Sequence, residues 1–123
     1  MRKIFHLLFI ALGAVFVLCA ARFVQPTQLL KTKLHVTVRN ELGNLVEGAK
    51  VALYSNKTDY DASKNQMATK NTNEKGIAVF SDLEEKVYFV NVEKGAANNF
   101  DAATQTDTLK ASRVNKVTII ISE

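Results

Sequence analysis

From Leu34 onward the apolar residues of this chain return at every second position, and no stretch repeats them at the three-and-four spacing of a helix. Leu34, Val36 and Val38 alternate with His35, Thr37 and Arg39. Side chains along a strand point to opposite faces in turn, so a segment of this kind buries one face and wets the other. The pattern returns in Ala49, Val51 and Leu53 against Lys50, Ala52 and Tyr54, then in Ala78 and Phe80 within Ile77 to Ser81, with Leu83 closing that strand. It returns again in Tyr88, Val90 and Val92 against Phe89, Asn91 and Glu93, and last in Val117, Ile119 and Ile121 within Lys116 to Ser122.

Turn chemistry separates these segments. Asn40 to Asn44 and Asn73 to Gly76 each contain a glycine able to take a positive φ. Ser55 to Lys75 is polar with no apolar period, which predicts a loop holding a short edge strand near Met67 to Asn71; a structureless connection of that length is rare in a compact domain. A second polar loop, Lys94 to Thr106, leads through Thr108 to Lys110 into the last strand. The expectation is an all-β fold: a seven-stranded (six to eight) antiparallel Ig-like sandwich over residues 33–123, with a signal helix before it.

The 47% apolar content of the 123 residues is unevenly spread, because Ile4 to Ala21 has His6 as its one polar side chain. Arg2 and Lys3 make a positive n-region, Ile4 to Leu18 an apolar h-region, and Cys19, Ala20 and Ala21 offer small residues for cleavage. Residues 1–21 therefore read as a signal peptide or membrane anchor and 22–32, with the one proline Pro26, as a linker. Three fates are open: cleavage near Ala20 or Ala21, lipid attachment at Cys19, or retention as an anchor, since 18 apolar residues sit at the lower limit for crossing a bilayer. Bacterial lipid-attachment sites carry a small residue before the cysteine, whereas this chain has Val17 and Leu18. Each fate places the domain outside the cytoplasm, in the periplasm, at the cell surface or secreted.

Setting the leader aside also resets the charge. The whole chain has 16 basic against 12 acidic side chains; without Arg2 and Lys3 it has 14 against 12, a net of +2. These charges are interspersed, as in Asp82, Glu84, Glu85 and Lys86, so nucleic acid is not expected as a partner, and the membrane is met only through the N-terminal segment. Cys19 is the only cysteine, so the domain beyond the leader has no disulfide and no thiolate ligand.

The stretch Gly43-Asn44-Leu45-Val46-Glu47-Gly48-Ala49-Lys50-Val51-Ala52-Leu53 resembles the opening of carboxypeptidase regulatory-like domains, whose pattern is Gly-x-Pro-Val-x-Gly-Ala-x-Val-x-Leu. Thr72 to Phe80, Leu83 and Tyr88 to Val92 are similar to the same family's Thr-Asp-x-x-Gly-x-x-x-Phe-x-x-Leu and Tyr-x-Val-x-Val. Leu45 stands where proline is usual, and Lys86 where a glycine usually precedes the tyrosine. The resemblance implies a transthyretin-like sandwich that supports folding, binding or attachment and is not catalytic. The collagen-adhesin B-type repeats share that topology and often form a Lys–Asn isopeptide bond. Their lysine and glutamate positions fall here on Val38 and Val92, Glu93 points to the other face, and Asn115 could mimic the acceptor, so no such bond is expected.

Catalysis has few candidates. His35 is the only histidine after the leader, at an outward strand position, and no serine sits in a nucleophile-elbow pattern. The reading assigns no catalytic residue, cofactor or metal site. Asp59, Asp61, Asn98, Asn99, Asp101 and Asp107 offer oxygen ligands of the kind calcium takes, though without a dense ligand spacing. Asn56-Lys57-Thr58 and Asp107-Thr108-Leu109 match short glycosylation patterns that recur by chance. If the two polar loops share one end of the sandwich, Tyr60, Asp61, Asn98, Asn99, Phe100 and Asp101 become candidate contacts for a sugar or peptide, while Phe100 has a competing reading as a plug at the end of the core. The function expected is an exported, non-enzymatic binding or scaffolding module of the bacterial cell envelope, with an envelope protein or carbohydrate as partner. Two alternatives stand beside it: a calcium- or carboxylate-dependent accessory of an envelope hydrolase, and a structural spacer on an uncleaved anchor.

Overall fold

The computed structural model describes residues 30–100 and 104–123; the leader, most of the linker and Asp101 lie outside them. Seven strands and one short helix follow in the order β1 (Lys33–Asn40), β2 (Lys50–Tyr54), α1 (Lys57–Ala62), β3 (Ala68–Asn71), β4 (Ile77–Phe80), β5 (Phe89–Lys94), β6 (Ala97–Asn98) and β7 (Val114–Ile121). They form two sheets, β4-β1-β7 and β3-β2-β5-β6. The inward residues are those the alternation selects: Leu34, Val36, Val38, Val51, Leu53, Phe80, Tyr88, Val90, Val92, Ile119 and Ile121 are all buried in one cluster. Burying a side chain of this size contributes roughly 1.5–3 kcal/mol, so this cluster is the main source of stability. Among the described residues no helix is long and apolar enough to cross a membrane.

The structure departs from the sequence reading in three places. β7 runs parallel to β1, from Lys33 opposite Val114 to Asn40 opposite Ile121, while the other ladders are antiparallel. A parallel neighbour needs a long crossover, here the whole of the second sheet, and alternation carries no information on strand direction. Helix α1 sits inside the expected loop. At six residues it is too short to show a period, and its ends are set by capping: Asn56 accepts from the Asp59 amide, and Ser63 takes the left-handed conformation (φ 52). As a result Ala52 and Tyr54, expected on a wet face, are buried, with the Tyr60 ring edge-on to Tyr54 at 5.6 Å.

The two motif stretches meet at a single junction. The Val38 amide donates to the Gly76 carbonyl and the Val46 amide to the Val38 carbonyl. Gly76 has φ +72, and a Cβ there would stand 3.0 Å from the Val38 carbonyl oxygen and 3.2 Å from the Val46 nitrogen. Beside it, the buried Thr72 hydroxyl accepts from the Ala49 amide at 2.9 Å and donates to the Val46 carbonyl at 2.6 Å. The residues that depart from the motif are also accommodated. Leu45 pairs with Arg39, and the Lys86 ammonium lies 5.4 Å from the centre of the Tyr88 ring and 2.6 Å from the Ser55 hydroxyl.

Gly76→Ala is expected to cost about 2–4 kcal/mol, from left-handed strain together with the backbone clash, whereas Gly43→Ala, at φ +83 with open space around it, costs only about 1 kcal/mol. Equilibrium urea unfolding of both variants gives the comparison. Thr72→Val keeps the shape but strands the buried Ala49 amide, and should lose about 2 kcal/mol in the same assay; Thr72→Ser keeps the hydroxyl and most of the stability.

Candidate functional site

The outward residues of β2 and β5 form a small cleft on the outside of the four-stranded sheet. Lys50, Ala52 and Tyr54 come from β2, Asn91 and Glu93 from β5, and Ser63 and Gln66 from the turn after α1, around a cavity of about 200 Å³. The register explains the grouping: Lys50 is opposite Glu93, Ala52 opposite Asn91 and Tyr54 opposite Phe89, so the cleft runs across the ladder. Beyond its aromatic end Tyr60 packs 5.6 Å from the Tyr54 ring and 6.0 Å from the Phe89 ring. At the other end a cation and a carboxylate face each other across the strands.

Asn91 distinguishes this cleft from an ordinary wet sheet face. Its amide nitrogen makes a long 3.4 Å contact to Glu93, and its Oδ1 is buried with no hydrogen-bond partner among the described residues. Leaving a buried acceptor unpaired costs on the order of 1–3 kcal/mol, and native structures hold few such atoms. The sequence carried a signal for it that the alternation alone does not weigh: asparagine is depleted in strands, yet it stands mid-strand here between Val90 and Val92.

The candidate contacts inferred from sequence do not come together. Tyr60 lies at the Phe89 end of β5, while Asn98 pairs with Glu93 about four residues, or roughly 13 Å, farther along the same strand. Tyr60 is half-buried against two rings, and Asp61 faces Lys57 at 2.7 Å on the exposed side of α1. Asn98 exchanges two backbone hydrogen bonds with Ser122 and accepts from the Phe100 amide through its side chain.

Asn99 is 1% exposed and therefore not a surface contact: its Oδ1 accepts from the Val92 amide and its Nδ2 donates to the Val90 carbonyl, both at 2.9 Å. Phe100 is 58% exposed and does not plug the core, because the Asn99 side chain, not the next ring, turns inward to β5. Asp101 lies outside the described residues.

The remaining polar candidates are engaged locally or stand apart. Asp59 accepts from the side chains of Asn56 and Asn65, so the glycosylation-pattern Asn56 serves as a helix cap. Asn115 donates to the carbonyls of Lys33 and Lys110 and accepts from the Lys110 amide, which ties the last turn to β1; Val38 and Val92 are fully buried in the core. His35 is half-buried on the outer face of the other sheet. Among the described residues no three His, Cys, Asp or Glu side chains gather as a metal-ligand group. What the cleft can offer is hydrogen bonding: a phenol rim, two amides, a hydroxyl, an ammonium and a carboxylate, suited to a neutral polar ligand.

No protein-family model and no curated protein matches the chain. Solved structures do share its fold. The Bacillus anthracis TIE protein is similar at a TM-score of 0.56 and 14% identity, over 75% of this chain and 17% of that one. A streptococcal ancillary pilin is similar at 0.57 and 16%, over 77% and 33%, and the group B streptococcus pilus 2b backbone protein at 0.54 and 15%, over 73% and 40%. The chain thus spans less than half the length of each, and at these identities the likeness is one of fold, a two-sheet β-sandwich.

Proposed function

We propose that this chain is an exported, non-enzymatic β-sandwich module of the bacterial cell envelope, and that its binding function resides in the cleft between Lys50 and Tyr60. The unpartnered Asn91 Oδ1 carries this reading: a ligand hydroxyl or amide N–H entering the cleft would supply the missing donor, so binding would relieve a cost the free fold carries. The amides of Asn91 and Gln66 and the Ser63 hydroxyl also suit the hydroxyls of a sugar, which favours a carbohydrate of the envelope over a charged ligand. The apolar leader, the carboxypeptidase regulatory-like motifs and the likeness to surface pilins in fold all support an extracytoplasmic setting.

Asn91→Leu is the informative variant. It removes the orphan acceptor, so unfolding stability should hold or rise by about 1 kcal/mol while binding of soluble cell-wall oligosaccharides, followed by NMR shifts of the Ala52 and Gln66 amides, falls about ten-fold or more. A less stable variant that bound the oligosaccharides as the parent does would overturn the assignment. Fractionation of expressing cells should recover the chain with the envelope or medium; recovery in the cytoplasm would overturn the export reading.

A further inference from the structure

A second open feature lies on the side of the sandwich away from that cleft, and it stands on separate observations. β7 is the edge of the three-stranded sheet, eight residues long, bonded on one side to β1. Among the described residues, what meets its other edge is the pair Asn98 and Ser122, just past its C-terminal end. Natural sheets seldom leave a strand of that length open without a device or a partner. Alongside the first half of β7 runs a groove of about 420 Å³, bounded on the far side by Gln105 to Lys110, with Leu34, Leu109 and Val117 along it.

The rim of the groove is basic. Lys110, Arg113 and Lys116 line it against the one carboxylate of Asp107, and the ion pairs among the described residues, Lys31–Asp82 and Lys57–Asp61, lie elsewhere. We infer that the β7 edge and this groove receive an extended acidic segment of a partner protein, which adds as a fourth strand to the β4-β1-β7 sheet. Backbone hydrogen bonds to β7 would supply affinity; alternate apolar side chains would enter the groove and the acidic ones would face the three cations. A second copy of this chain is the poorer occupant, because it would bring the same basic rim to a groove whose cations outnumber its carboxylate three to one, and so no complementary charge.

The test titrates the full chain, held in mild detergent, with a synthetic peptide of about eight residues alternating valine with glutamate, and with its lysine counterpart. The glutamate peptide should bind, weaken with added salt, and protect alternate amides between Val114 and Ile121 from hydrogen exchange. The combined variant Lys110→Glu, Arg113→Glu and Lys116→Glu should lose about ten-fold or more in affinity for it and gain binding of the lysine peptide, a gain that a misfolded variant could not show. Asn91→Leu should leave this binding unchanged, which separates its failure from that of the cleft. Equal binding of both peptides, absence of binding, or binding without protection of β7 would overturn the inference, as would self-association abolished by the charge reversal.

Discussion

The fold depends on the crowding of backbone at Val38, Val46 and Gly76. Two separate turns bring Val46 and Gly76 into hydrogen-bond contact with Val38 of β1, and the approach is so close that a single added carbon at Gly76 would touch the Val38 carbonyl. Thr72 adds a further connection, since its hydroxyl replaces a backbone partner for Ala49 and Val46 at once. Here the sheets are pinned to each other by main-chain geometry, beyond the packing of side chains. The two sequence motifs are thus two halves of one physical contact, which accounts for the glycine at position 76.

Much of this was readable from residue order. Alternation identified which face of each strand turns inward, because burial of one face leaves no other solution for Val36, Leu53, Val90 or Ile119. It was silent on what lies over the outer face. Helix α1 is less than two turns long and has no buried residue, so neither period nor apolar content announces it; only the capping pair of Asn56 with Asp59 marks its start. The parallel direction of β7 was equally invisible, since Val117, Ile119 and Ile121 alternate the same way in either orientation. The candidate contacts fared unevenly for a related reason. Loop polarity marks the two segments that hold Tyr60 and Asn98, but the helix and the short strand β6 in which they lie, and the register that separates them along β5, are tertiary facts.

Two asparagines on or beside one strand show how context divides a single residue type. Asn99 reaches in from the side and takes two β5 backbone groups, acting as a rung of the sheet where the main chain has turned away. Its hydrogen-bonding capacity is largely spent on structure. Asn91 points from β5 to the opposite side, and the neighbouring β2 residue is Ala52, which has no side-chain group to offer it. The same amide therefore stabilises in one position and stays unsatisfied in the other.

The pairing of β1 with β7 also bears on the order of events during synthesis. The central strand of the three-stranded sheet is among the first segments of the domain to be made, and its eight-residue parallel partner lies about eighty positions later. Until β7 leaves the ribosome, β1 has the four residues of β4 and its pairings to Leu45 and Val46 to hold it, and Ile119 and Ile121 are missing from the core. A chain that emerges N-terminus first therefore stays pliable through the whole of the second sheet, and it closes into a sandwich only once β7 has followed β1.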